Sequence, residues 1–345
     1  RSLFHHTRKT MSLPPAKWSA QASLQHVFRS RAYSPVRDLV LATAWSSRNP
    51  DARERFRSDL YSNSLTHLWY QTADGWQAPL FRLPSCPDGS GEPVILAPSL
   101  GFNEKTFDAD RNRSLARYLQ KCGFDVFILT HRASHAAVPP ASARGFSFDD
   151  MVAHDVPAAI RAVLVETGAS RLHWVGHGLG GQLLVGHMAH DGDQDIASAV
   201  SIGSPVSFSP LRATAKRVAQ VARWLPSHWR IPTQRIHDIL TAASRPEHLV
   251  YLTRRIEGPI ARSLLIDGTE ELAVGLIQQI AQWHESGSLT SQDDRFDYTA
   301  ALCQRKVHLL SIASQDDAFC KPEQSHQAVQ HLAQGFGETW TLDAG

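Results

Sequence analysis

Between residues 94 and 202 the chain alternates short, mainly apolar runs with longer stretches in which apolar positions recur every third or fourth residue. The short runs read as buried strands, and the 3.6-residue period reads as amphipathic helix. Val94–Ala97 (VILA) is the first such strand. Ser114–Gly123 follows as a helix: Leu115, Tyr118, Leu119 and Cys122 fall at i, i+3, i+4 and i+7, and Gly123 sits where a C-terminal cap glycine belongs. Phe124–Thr130 (FDVFILT) is the next strand. Asp149–Thr167 carries Val152, Val156, Ile160 and Val163 on one helical face and stops at Gly168. Arg171–Val175 is a strand, a glycine-rich turn leads into a helix through His190, and Ala197–Ile202 is a further strand.

Strands alternating with helices of this length imply right-handed crossovers and a parallel sheet, hence an α/β fold. Upstream, Thr66–Thr72 and Trp76–Leu83 flank Ala73-Asp74-Gly75 and predict a hairpin, followed by a loop at Pro84–Pro93. The alternation breaks at residues 206–300, which hold no convincing strand. Helical patterns stand there instead, one with Val218, Val221, Ala222 and Leu225, another with Leu272, Leu276, Ile280 and Trp283. The alternation resumes with a strand at Lys306–Ile312, a helix near Pro322–Gln334 and a last strand in Glu338–Leu342. A helical cap inserted before the last two strands, over the carboxyl ends of the sheet, is the expectation.

Composition narrows the picture. The 345 residues are 42% hydrophobic and 20% charged, which suits a globular core. A formal net charge of +2 gives no general affinity for nucleic acid. The cysteines (Cys86, Cys122, Cys303 and Cys320) form no C-x-x-C, which favours a reducing compartment such as the cytoplasm. No apolar run reaches the roughly 18 residues of a membrane span. Residues 1–37 carry seven Lys or Arg and no acid, a bias shared with organelle transit peptides. A disordered basic tail is the simpler reading. The expected organisation is therefore a basic extension over 1–63, partly disordered or helical, and one domain over 64–345. Oligomeric state is open.

The candidate chemistry centres on His173–Leu184 (HWVGHGLGGQLL). Gly176, Gly178 and Gly181 spell G-x-G-x-x-G, the phosphate-binding turn of a dinucleotide-dependent oxidoreductase. That fingerprint also needs an acid at the end of the next strand, about 20 residues on. The next strand ends Ile202-Gly203-Ser204-Pro205, without one. Alternatively, Gly176–Gly180 is a G-x-S-x-G nucleophile elbow with glycine at its centre.

Four segments carry a resemblance over about residues 64–345. They are PVILAPSLGFNEKTFD (93–108), SLARYLQKCGFDVFILT (114–130), HWVGHGLGG, and KVHLLSIASQDDAFCKP (306–322). In these the chain resembles the α/β-hydrolase superfamily on its lipase- and esterase-like side, whose elbow commonly reads G-H-S-x-G-G. The resemblance implies a mostly parallel sheet flanked by helices, and a small apolar ester or lipid-like ligand, with no cofactor and no metal. Carried over residue by residue, it puts Gly178 at the nucleophile position and Asp317 in the place of the acid, with Asp316 as second choice. The oxyanion donors become the N–H groups of Leu100 and Leu179. The base histidine is not found: His326 and His331 lie on the preceding helix.

Glycine cannot attack a carbonyl, yet it takes the strained elbow conformation at little cost, where other residues pay roughly 1–3 kcal/mol. The expectation is a member of the family without serine catalysis, binding an apolar ligand or partner. The alternatives are an active ester hydrolase using an unidentified nucleophile or activated water, and the dinucleotide-binding oxidoreductase. His131 and His135 have i, i+4 spacing but read as loop rather than a metal pair. Cys320 reads as a small buried thiol. Arg212, Lys216, Arg217 and Arg223 read as a solvated helix face, with contact to a membrane surface as the functional alternative.

Overall fold

A computed structural model describes residues 66–86, 89, 91–110, 112–190, 194–211, 213–233, 264, 268–303, 305–317 and 319–343. The basic extension over 1–63 lies outside the described residues.

The chain begins with an antiparallel hairpin, β1 (Thr66–Gln71) and β2 (Gln77–Leu83), closed by Thr72–Trp76. The turn is held at the Thr72 hydroxyl, which accepts from Trp76 N at 2.9 Å. β3 (Pro93–Ala97) and β4 (Asp125–Leu129) are buried at every residue. That is the burial of parallel strands covered on both faces, and it is why their sequences run apolar without alternating. Between them lies α1 (Leu115–Lys121), where the Ser114 hydroxyl accepts from Arg117 N and caps the first turn.

α2 (Val156–Thr167) ends at Gly168, whose φ of 70° is the left-handed cap expected from the sequence. The predicted helix over 149–167 is not uniform. A capped turn at Phe148–Asp150 passes into a wider π turn, Met151–Asp155, in which Val156 N–H donates to Met151 O five residues back. Pro157 follows directly. It has no N–H to give the regular ladder, and the wide turn accommodates that loss.

β5 (Leu172–His177), α3 (Leu179–His190) and β6 (Ile196–Ile202) continue the alternation. All but the last residue of α3 are buried. β9 (Leu309–Ser314), α6 (Pro322–Gln330) and β10 (Gly337–Leu342) close the chain. The sheet order is β1-β2-β4-β3-β5-β6-β9-β10, antiparallel at β1–β2 and β2–β4 and parallel elsewhere. β9 starts three residues later than the sequence predicts: of Lys306–His308 only His308 reaches the sheet, its carbonyl accepting from Ala199 N of β6 at 2.8 Å.

Within 206–300, helices α4 (Ala213–Ala222) and α5 (Val274–Ser286) stand where the two helical patterns were expected, but Leu225 lies beyond α4 and Leu272 precedes α5 in a short strand. Contrary to the expectation of no strand, β7 (Arg230–Ile231) and β8 (Leu272–Ala273) form a two-residue antiparallel ladder. Two residues are too few for a period to register. About a third of the expected cap, residues 212, 234–263 and 265–267, lies outside the described residues.

A buried ion network ties the hairpin to the helical layer. Arg132, 1% exposed, donates to Asp155, also 1% exposed, at 2.6 Å, and to Asp74 at 2.7 Å.

Candidate active site

The carboxyl ends of β3, β5, β6 and β9 lie side by side, and the loops leaving them form the site. β5 ends at His177, and the chain turns at Gly178 with φ of +52°, a left-handed conformation that favours glycine. Gly178 N–H donates to Ile202 O at 3.0 Å, which ties the turn to the end of β6. Gly178 O accepts from Gly181 N and Gln182 N, both at 3.1 Å, and so opens α3.

The surrounding glycines serve close packing. A Cβ at Gly176 would stand 2.4 Å from the Gly180 backbone. One at Gly180 would stand 2.1 Å from Ala97 O, and one at Gly181 2.2 Å from Ser204 Oγ. Each is well inside contact distance, so the cluster lets α3 press against β5, β3 and the end of β6. This packing accounts for Gly176 and Gly181 without a phosphate.

A Cβ at Gly178 would stand 2.1 Å from the Ser99 hydroxyl oxygen and 2.9 Å from Ser99 Cβ. Ser99 leaves β3 by way of Pro98, and its hydroxyl fills the volume in which a side chain at position 178 would begin. Sequence reasoning passed over this residue. The only signal was the serine itself, in Pro98-Ser99-Leu100. Leu100 follows in a turn closed by Phe102 N–H donating to Ser99 O at 3.2 Å, and Leu179 is the first residue of α3. The two expected oxyanion donors thus stand in the turn after β3 and at the first residue of α3.

Asp317 stands in the turn after β9. Its Oδ1 accepts from Phe319 N at 2.8 Å and Cys320 N at 3.1 Å. Its Oδ2 lies 3.4 Å from where a Cβ on Gly203 would stand, at the end of β6. A carbon of the His177 ring is 4.0 Å from the same point. Asp316 is exposed, with its N–H on Ser314 Oγ. His177 Nδ1 is buried without a hydrogen-bond partner. Burial holds the imidazole below its ordinary pKa, and the charge of Asp317 opposes that only in part.

The other expected candidates lie elsewhere. His326 uses both nitrogens, Nδ1 with Ser311 Oγ and Nε2 with Thr341 Oγ1, each at 3.0 Å, and so braces α6 against β9 and β10. His331 ends α6. His131 is buried with Nε2 on Pro98 O at 2.8 Å. His135 pairs through Nδ1 with Glu270. Among the described residues no group of three or more His, Cys, Asp or Glu is placed to hold a metal ion. Cys320 is buried, and burial, with Asp317 adding, pushes its thiol up to about 12. Lys216 is exposed, Arg223 pairs with Glu285 at 2.5 Å, and Arg212 lies outside the described residues.

Residues 92–336 match the family model described as alpha/beta hydrolase fold, and the chain belongs to that family. A tear acid lipase-like protein of Mesocricetus auratus is 29% identical over 193 residues, which is 52% of this chain and 47% of that protein. Human gastric triacylglycerol lipase is 33% identical over 142 residues, 37% of this chain and 35% of that protein. The chain thus spans half or less of the length of these relatives. In fold it is similar to the monoacylglycerol lipase of Paleococcus ferrophilus (TM-score 0.52, 15% identity, covering 77% of this chain and 89% of that one). It is also similar to an esterase from Exiguobacterium antarcticum (TM-score 0.55, 13% identity, 80% and 90%).

Proposed function

We propose that the elbow at Gly178 receives a carboxylic-ester or lipid-like ligand with an apolar part, and that position 178 itself makes no nucleophilic attack. The observation that carries this reading is a strand–turn–helix elbow, φ +52°, with no side chain at its centre. The lipases among its relatives supply the ligand class, and the expected helical cap would cover its apolar part. In this reading the ester carbonyl oxygen lies between the N–H groups of Leu100 and Leu179, where a developing negative charge is stabilised. Asp317 occupies the acid position of the family's machinery. The protein then differs from its lipase relatives in the nucleophile, while the binding half of the machinery is kept.

Titration calorimetry with non-hydrolysable ether analogues of short- and long-chain esters tests this. The expected result is saturable binding that tightens with chain length and is lost in Ser99→Trp, which fills the space over Gly178. Absence of binding at every chain length overturns the reading.

A further inference from the structure

We propose that Glu270 is a positioning residue for the site: its backbone holds the turn that carries Leu100 N–H, while its carboxylate is anchored on the loop after β4. This deepens, and rests on, the reading of the elbow as an ester site.

Glu270 is buried and stands two residues before β8, in the stretch that enters α5. Gly268–Glu270 runs antiparallel to Gly101–Asn103. Glu270 N–H donates to Gly101 O at 2.8 Å, Phe102 and Thr269 form a β-bridge, and Asn103 N–H donates to Gly268 O at 3.1 Å. Leu100 lies directly before this paired stretch, inside the turn that Phe102 N–H closes on Ser99 O. The docking is close: Gly101 has φ of +73°, and a Cβ there would stand 2.7 Å from Leu272 Cδ2.

The Glu270 side chain reaches the other way. Oε1 accepts from Ser134 Oγ at 2.9 Å, and Oε2 accepts from His135 N at 3.1 Å and pairs with His135 Nδ1. The loop it grips is itself fixed. Arg230 donates to Arg132 O at 3.2 Å and to Ala133 O, and Arg132 is paired with the buried Asp155. The same loop holds the near end of the turn, where His131 Nε2 donates to Pro98 O at 2.8 Å. Leu100 is thus bracketed, with Pro98 held by His131 before it and Gly101 held by Glu270 after it. Burying a carboxylate costs free energy unless hydrogen bonds replace its water, and these partners do so. They also fix residue 270 in direction as well as distance. A backbone N–H stabilises a developing oxyanion only if it is in place beforehand. Glu270 therefore acts through Gly101, without touching the ligand.

The test is calorimetry on the full chain with two ligands of one chain length. One is a ketone, which keeps the carbonyl of the ester, and the other an ether with a methylene in its place. The parent should bind the ketone about tenfold more tightly, as two modest hydrogen bonds supply. In Glu270→Ala that preference should fall to about threefold, one donor being lost, with the ether affinity unchanged. A merely structural role would weaken both ligands alike. Glu270→Gln, which keeps an acceptor for Ser134, should recover part of the preference. Hydrogen exchange read by mass spectrometry should speed up over 98–106 in Glu270→Ala and Ser134→Ala, and not over 172–184. If Glu270→Ala does not fold, Glu270→Gln and Ser134→Ala carry both tests. Full ketone preference in the variants, or parental exchange over 98–106, overturns the proposal and leaves the elbow reading standing. Equal affinity of the parent for ketone and ether overturns it too, since no N–H is then placed for a carbonyl. A parent that binds neither ligand removes both readings.

Discussion

The Ser99–Gly178 contact makes a quantitative claim about stability. Replacing Gly178 by alanine adds one carbon at φ +52°, a conformation that costs a non-glycine residue roughly 1–3 kcal/mol. It also places that carbon 2.1 Å from Ser99 Oγ and 2.9 Å from Ser99 Cβ, which forces the serine to move. Overpacking of this kind adds about 1–3 kcal/mol. Ser99→Gly removes both atoms, and the nearest remaining Ser99 atom is then Cα at 3.7 Å, an ordinary contact. The backbone strain persists in the double variant, while the steric part disappears. A double-mutant cycle by urea denaturation should therefore give a coupling of about 1–3 kcal/mol, with Gly178→Ala cheaper when Ser99→Gly is present. Additivity within about 0.5 kcal/mol, or Gly178→Ala as stable as the parent, would refute the contact and with it the place assigned to Ser99.

Other consequences are independent of the elbow. Burial, reinforced by Glu270, holds the Glu104 carboxyl up at about 7, so the folded chain binds its proton more tightly than the unfolded one. Stability should fall as pH rises from about 4.5 to about 7, by about 3 kcal/mol from this group. Denaturation of Glu104→Gln should show a gain over the parent at pH 8 and none at pH 4. Asp155→Ala leaves the Arg132 guanidinium buried with only Asp74, and should cost about 3–5 kcal/mol in the same assay. Iodoacetamide at pH 8 should modify the exposed Cys86, Cys122 and Cys303 well before Cys320, whose buried thiol sits near 12.

The strands and helices from residue 66 onward were legible because their burial is periodic. VILA and DVFIL are buried on both faces and read as apolar runs, and the α2 helix announces its end with Gly168. The π turn was not legible, since its extra residue shifts the helical phase without breaking the apolar pattern. Nor was the β7–β8 ladder, whose two-residue strands hold too little of a period to see. At the site, Gly178 and the pair Asp316–Asp317 stood out by local motif. Placing Asp317 beside the end of β6 needed the third dimension, because Gly203, which its Oδ2 approaches, lies far away in sequence. Ser99 and Glu270 were invisible for the same reason. Each acts through residues far away in sequence: Ser99 on a turn 79 positions on, Glu270 on Ser134 Oγ at 2.9 Å and on His135.

The central claim is that the ligand of this α/β-hydrolase sits at the Gly178 elbow. The most direct measurement is photo-crosslinking with a diazirine-bearing acyl ether placed at the carbonyl-equivalent position, followed by peptide mapping. The account predicts crosslinks to the peptides that contain Ser99–Leu100 and Gly178–Leu179, suppressed by an excess of unlabelled ether. Saturable crosslinks confined to other surfaces, with those two peptides unmodified, would contradict it.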